Sequence, residues 1–155
     1  MIEKLNEQFS GYAGKIIIFA LLLTTLLIFS PVMEAEEVVA VVRKGTSVII
    51  PVSRYVISNI FGMSQTQWSD GSAIKVFVLP DDNPLNSLFC KHILHIFPHQ
   101  LRIAWDRKVY SGTGSGPVVL SSTQEMATRL ANTPGAIGYL PKESLDDNVA
   151  ILPVE

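Results

Sequence analysis

The residues best suited to bind a ligand stand where a predicted strand leads into a predicted helix. The apolar run IKVFVL over residues 74–79 predicts the strand, and Asn83 followed by Pro84 is typical of a helix start. Ligands of open α/β sheets gather at such junctions, because the free amides of a helix start attract anions. We predict an anion-binding site that comprises Asn83, Leu85, Asn86 and Ser87, through the amides of residues 85–87 and the side chains of Asn83 and Ser87.

Two carboxylates beside this helix start support a different interpretation. Asp81 and Asp82 immediately precede the cap and place negative charge where an anion would bind. Acidic side chains at helix starts are ordinary stabilising features, each contributing about 0.3–1 kcal/mol. The alternative is therefore that this segment only begins and stabilises a helix.

A glycine-rich stretch, SGTGSGP at residues 111–117, resembles a phosphate-binding loop only superficially. Its glycines alternate, so it matches neither G-x-G-x-x-G nor G-x-x-x-x-G-K-[ST], and it follows a predicted helix instead of a strand. Pro117 also lacks the amide that a phosphate loop would use. The stretch is predicted to be a flexible connector.

Neither a metal site nor a catalytic set is predicted. His92 and His95 can share a helical face near Cys90, but Pro98 separates them from His99 and no carboxylate completes a ligand set. Residues 113–117 read TGSGP and fail the G-x-S-x-G nucleophile pattern at its first position. We therefore predict a protein that is not an enzyme and has no cofactor and no metal.

The surrounding elements are predicted to alternate as in an α/β protein. Strands are expected at 38–42, 74–79, 136–140 and about 149–152, and helices after the caps Ser53, Asn83 and Ser122 and from Pro98. Ser122 and Glu125 match a capping box, and Trp105 falls on the apolar stripe of its helix. In the run TPGAIGYLP, Gly138 lies inside a strand, which predicts that another backbone passes close to it.

Charge and cysteine content argue against a nucleic-acid-binding protein and against a protein stabilised by internal disulfides. Lys and Arg total 12 against 14 Asp and Glu, and no basic run appears, so nucleic acid is not a predicted partner. Cys90 is the only cysteine, so no internal disulfide can form, and in an oxidising compartment a lone thiol is usually buried.

The first 35 residues are predicted to direct export. Residues 16–30, IIIFALLLTTLLIFS, are uncharged and apolar, with Lys15 directly before them. This pattern is typical of a signal peptide cleaved after Ala35, and residues 16–33 are also nearly long enough for a retained membrane anchor. Both alternatives place residues 36–155 outside the cytoplasm, in the periplasm, as a separate α/β domain.

Several motifs in a fixed order resemble a known family. They are I-x-x-I-F-G at 57–62, W-x-D-G at 68–71, WDRKVYSG at 105–112 and PGAIGY at 134–139. Together they resemble the phosphate-type periplasmic solute-binding proteins of ABC importers, over roughly residues 38 to 141. The resemblance implies a periplasmic-binding-protein type II-like α/β fold, here a single three-layer lobe with a mixed sheet. It also implies that the PGAIGY strand lies near the interlobe crossover.

The chain departs from that family in two ways. It is too short for two lobes, so one lobe would leave a solute partly exposed. The family's phosphate loop has an Arg and a Gly-Ser-Gly-Thr run where residues 80–87 read PDDNPLNS.

Two hypotheses about function follow from the resemblance and these departures. The first is an exported, non-catalytic solute-binding domain for a small anionic solute such as phosphate. The alternative is a protein-interaction or accessory module, without solute binding, for a membrane sensor or transporter.

Overall fold

A five-stranded mixed sheet organises residues 36–48 and 51–155, the part of the chain that this computed structural model describes. Its strands are β1 (Val38–Arg43), β2 (Lys75–Val78), β3 (Val118–Val119), β4 (Ala136–Pro141) and β5 (Val149–Ile151), in the spatial order β3-β2-β4-β1-β5. β2 runs parallel to both β3 and β4, whereas β1 is antiparallel to both β4 and β5. The mixed sheet agrees with the prediction.

The helices start where local sequence predicts them. They are α1 (Arg54–Phe61), α2 (Pro84–Phe89), α3 (Pro98–Tyr110) and α4 (Thr123–Asn132), with a short 3-10 turn at Lys142–Ser144. The side chains of Ser53, Asn83 and Ser122 each accept a hydrogen bond from an amide in the first turn of α1, α2 and α4 respectively. Glu125 does not close the predicted capping box, because its carboxylate accepts from the amide and hydroxyl of Ser121 instead.

Helices cover both faces of the sheet. Successive side chains of a strand point to opposite faces, and β4 shows which helix covers each face. Gly138 faces Met126 and Leu130 of α4, whereas the ring of the next residue, Tyr139, packs against Phe61 of α1 and Phe89 of α2. The predicted three-layer α/β lobe with a mixed sheet is therefore confirmed.

The close approach predicted at Gly138 involves side chains, and the prediction of a backbone crossing there is wrong. A Cβ at Gly138 would lie 3.1 Å from Sδ of Met126 and 3.4 Å from both δ-carbons of Leu130. The backbone crossing occurs three residues earlier. Gly135 has a φ of +72°, and a Cβ there would collide with the carbonyl oxygen of Ala73. Gly138 thus allows α4 to pack closely on the sheet, and Gly135 allows the start of β4 to approach the loop before β2.

Two features of the chain between β2 and β4 differ from the sequence-based expectation. The helix that begins with α2 widens into a π-helical turn at Cys90–Leu94 and ends at His95, whose φ is 56°. The strand β3 was not predicted, because two residues carry no detectable periodicity. Phe77 and Val78 of β2 nonetheless pair with Val118 and Val119, and the amide of Leu120 donates to the carbonyl of Val78 at 2.8 Å.

Residues Glu36–Glu155 form one compact unit. The predicted signal peptide or anchor at residues 1–35 lies outside the described residues, so both alternatives stay predictions. Across the described residues, no helix is both long and apolar enough to cross a membrane.

Candidate functional site

The β2–α2 junction, residues 79–87, contains the predicted anion site. Oδ1 of Asn83 accepts a hydrogen bond from the amide of Leu85 at 2.9 Å, and the Asn83 carbonyl accepts one from the amide of Ser87 at 3.2 Å. Two of the three predicted donor amides, those of Leu85 and Ser87, therefore already have a partner in the helix start. The anion site stays a prediction, since an anion would have to compete for these amides.

The side chain of Asn86 points into the protein and not toward the junction surface. Only 2% of Asn86 is exposed, and its Oδ1 accepts a hydrogen bond from the hydroxyl of Tyr139 at 2.9 Å. That hydroxyl in turn accepts from the amide of Leu79 at 2.8 Å. Asn86 thus ties α2 to β4 and, through the Tyr139 hydroxyl, to the end of β2, so only its backbone amide remains relevant to a solute.

An arginine that sequence reasoning missed stands at the junction. Nε and Nη2 of Arg102, on α3, donate to the two carboxylate oxygens of Asp81 at 2.8 and 3.0 Å. The carboxylate of Asp81 raises the pKa of Arg102 further above its ordinary value. Both side chains remain about two-fifths exposed, at 40% and 42%. The junction therefore carries a solvent-accessible guanidinium and only one carboxylate, Asp82, outside this ion pair.

No sequence signal marks Arg102. It lies 21 residues from Asp81 along the chain, and the pair forms only because α3 packs beside the junction. Its guanidinium also lies over the ring of Trp105, 5.1 Å from the ring centroid.

The four motifs that carry the family resemblance contact one another in pairs, through buried tryptophans. Nε1 of Trp68 donates to the carbonyl of Gly135 at 3.1 Å, and the amide of Lys75 donates to the same carbonyl at 3.0 Å. Nε1 of Trp105 donates to the carbonyl of Phe61 at 2.7 Å. Both tryptophans are buried, and for Trp105 this confirms its predicted place on the apolar stripe of the helix.

The histidines and the cysteine of the 90–99 segment do not form one cluster. His92, His95 and His99 are exposed, and within the described residues no group of three His, Cys, Asp or Glu side chains could hold a metal ion. Cys90 is fully buried, with Sγ 3.8 Å from Oδ1 of Asn86. Burial, with a smaller contribution from the charge of Asp81, raises the pKa of the Cys90 thiol to about 11.

Native Cys90 is expected to resist alkylation. Because the thiolate is the reactive form, iodoacetamide at about pH 8 should modify the native thiol on the order of a hundredfold more slowly than the thiol of the urea-unfolded chain. The unfolded thiol ionises near pH ~8.5. The raised pKa of native Cys90 therefore contributes fully to the free energy of unfolding below pH ~8.5. This contribution is lost as the pH rises toward about 11. Equal alkylation rates in the two states would contradict this burial.

Known proteins resemble this chain in structure and not detectably in sequence. No known family profile matches the chain, and no curated protein matches it significantly. A solved structure assigned as a phosphate ABC transporter substrate-binding protein of Clostridium perfringens, with bound phosphate, superposes with a TM-score of 0.60 at 16% identity. An ABC-type phosphate transport receptor of Vibrio cholerae gives 0.51 at 15% identity, and PstS of Borrelia burgdorferi gives 0.54 at 15% identity.

Each of these structures matches 76% of this chain, which covers only 44%, 45% and 47% of the respective neighbour. This chain therefore spans less than half the length of these neighbours. At such low identity the likeness concerns the fold alone. The described residues therefore have the fold found in phosphate-binding proteins of ABC transporters, over less than half of such a protein.

Proposed function

We propose that this protein is an exported, non-catalytic solute-binding domain whose solute is a small oxyanion such as phosphate. The observation that carries the proposal is the structural likeness to phosphate-binding proteins of ABC transporters. The apolar residues 16–33 would direct export, either as a cleaved signal or as an anchor. A membrane transport protein would be the natural partner of such a domain.

The proposed site is the β2–α2 junction, with Asn83, Leu85, Asn86 and Ser87 as its members. In support, α2 begins at the carboxyl end of a central strand, where α/β proteins commonly bind ligands. Arg102 adds an accessible guanidinium, and planar guanidinium groups suit oxyanions because they donate two parallel hydrogen bonds. An oxyanion would bind here by competing with Asp81 for Arg102 and with the Asn83 cap for the helix amides.

One lobe cannot bury such a solute alone. In two-lobed binding proteins the second lobe closes over the ligand, and this chain covers less than half the length of the neighbours that it resembles. We therefore propose that a surface outside this lobe closes over the solute, whether it comes from a further part of the protein, a second subunit or a membrane partner. Binding to the lobe alone should be weak and should strengthen when that surface is present.

Substituting the carboxylates at the junction tests the site. Asp82→Asn removes a negative charge beside the helix start, so the affinity for phosphate should rise about two- to fivefold. Asp81→Asn releases Arg102 and should raise the affinity by a similar or larger factor. Calorimetric titration with phosphate and sulfate measures both effects, and a ligand that binds only the folded state also raises the melting temperature.

The matched control for this experiment is Asp147→Asn, which removes an exposed carboxylate from the turn before β5. It changes the net charge equally but should leave the phosphate affinity unchanged. If millimolar phosphate and sulfate neither bind nor move the melting curve of the wild type, of Asp82→Asn and of Asp81→Asn, the oxyanion proposal is wrong.

A second candidate function, a protein-interaction module without solute binding, has its own supporting observations. Asp81 already holds Arg102, and Asn83 already caps the amide of Leu85. On α3, Ile103 and Tyr110 are 53% and 88% exposed. They lie seven residues apart and so share one helical face, which a partner protein would cover. Recovery of a stable complex from solubilised membranes, lost in Ile103→Asp, together with no anion binding would favour this candidate.

A further inference from the structure

A cleft away from the β2–α2 junction runs between the end of α1 and one face of α3. Its volume is about 670 Å³, within the range of roughly 300–1,000 Å³ that is usual for small-molecule sites. On the α3 side it is lined by residues that recur every three or four positions, which places them on one helical face. These residues are Gln100, Ala104, Arg107, Lys108 and Ser111.

The cleft is open because its α1 side has small residues. Gly62 ends α1 beside Ser58 and Ser64, and all three line the cleft. A Cβ at Gly62 would lie 2.9 Å from the carbonyl oxygen of Ser58, so a larger residue would be disfavoured there. The apolar side chains of Ile96 and Leu101 also line the cleft. The combination of an apolar part and hydroxyl groups suits an organic molecule better than a bare ion.

The charge of the cleft is positive. Arg107 and Lys108 both line it, and no Asp or Glu does. The ion pairs within the described part of the chain involve Arg102, Arg129 and Lys142, and neither of these two residues. Asp106 is adjacent in sequence, but it is not among the lining residues, and its charge acts on Arg102 of another α3 face.

Helix stabilisation alone explains only part of this arrangement. Cations in the last turn of a helix interact favourably with its carboxyl end, which accounts for Arg107 and Lys108 on α3. The interaction with the helix end does not account for the concave surface on which Arg107 and Lys108 lie beside several hydroxyl groups. At the same end of the cleft, the Ser111 hydroxyl donates to the carbonyl of Lys108 at 3.2 Å, and its oxygen lies 2.8 Å from that of Thr113. This pair therefore offers acceptor oxygens to the hydroxyl groups of a ligand.

We propose that this cleft binds a small organic anion whose phosphate or carboxylate head contacts Arg107 and Lys108. Its hydroxyl-bearing body lies against Ser64 and Thr113. This inference does not depend on the oxyanion site at the β2–α2 junction, because the two sets share no residue. It gives the lobe a ligand that needs no second lobe, since α1 and α3 already form both walls of the cleft.

Calorimetric titration of the full chain with glycerol 3-phosphate, citrate and uncharged glycerol tests the proposal. Saturable binding is expected for at least one of the two anions and not for glycerol. The two anions distinguish a phosphate head from a carboxylate head. Arg107→Gln and Lys108→Gln should each weaken that binding about tenfold or more, because each removes a charge-assisted hydrogen bond.

Lys91→Gln is the matched control, because it removes an exposed cation from the π-helical turn outside the cleft. It should leave the affinity unchanged, and circular dichroism should show native structure in all three variants. The absence of saturable binding of both anions at millimolar concentration would overturn the proposal. Binding that survives Arg107→Gln and Lys108→Gln would also overturn it. If Asp82→Asn strengthens such surviving binding, the anion lies at the β2–α2 junction, and the proposed function stands without the cleft.

Discussion

Replacing Gly135 with alanine is expected to lower the free energy of unfolding by about 3 kcal/mol. The left-handed backbone conformation costs a non-glycine residue roughly 1–2 kcal/mol. The added Cβ also collides with the Ala73 carbonyl, and overpacking of this kind costs roughly a further 1–3 kcal/mol. Because the Gly135 carbonyl also accepts from Trp68 and Lys75, a shift of the chain to relieve the collision would disturb two more contacts.

Gly71→Ala is the control that separates conformation from collision. Gly71 has a φ of +84°, similar to that of Gly135, but no atom lies within 4 Å of where its Cβ would be. It should lose only the conformational part, about 1 kcal/mol. Urea unfolding followed by tryptophan fluorescence measures both variants. Equal losses would show that the Ala73 collision contributes nothing.

Removing the hydroxyl of Tyr139 is expected to have a comparable effect without changing the shape of the core. In Tyr139→Phe the buried amide of Leu79 loses its acceptor and Oδ1 of Asn86 loses its main donor. An unsatisfied buried polar group costs about 1–3 kcal/mol, so the variant should lose about 2–4 kcal/mol. The ring itself still stacks on Phe89, with ring centroids 4.2 Å apart, so packing is retained.

Two further variants make this prediction specific. Tyr110→Phe removes a hydroxyl from a residue that is 88% exposed and should leave the stability unchanged. Adding Asn86→Leu to Tyr139→Phe removes the stranded acceptor, so the double variant should lose less stability than the two single changes summed. Additive losses in urea unfolding would show that the hydroxyl and Asn86 are not coupled.

Sequence and structure agree best where a contact closes within one turn of helix. The caps at Ser53, Asn83 and Ser122 reach amides two or three residues ahead, so the residue types alone determine them. The alternation of strands and helices likewise follows from local apolar patterns, which led to the correct α/β class. The resemblance carried by the I-x-x-I-F-G, W-x-D-G and PGAIGY motifs led to the same fold.

The candidate sites depended on contacts that no local pattern records. The prediction at Asn86 concerned only its amide, and packing places its side chain against Tyr139, 53 residues away. Arg102 reaches Asp81 across 21 residues, and Arg107 and Lys108 line a cleft only because α3 lies beside α1. The sequence by itself determined the helix starts, the α/β class and the core position of Trp105, because local patterns set these features. The tertiary structure alone decided which polar groups remain available to a ligand, because that depends on which distant elements pack against them.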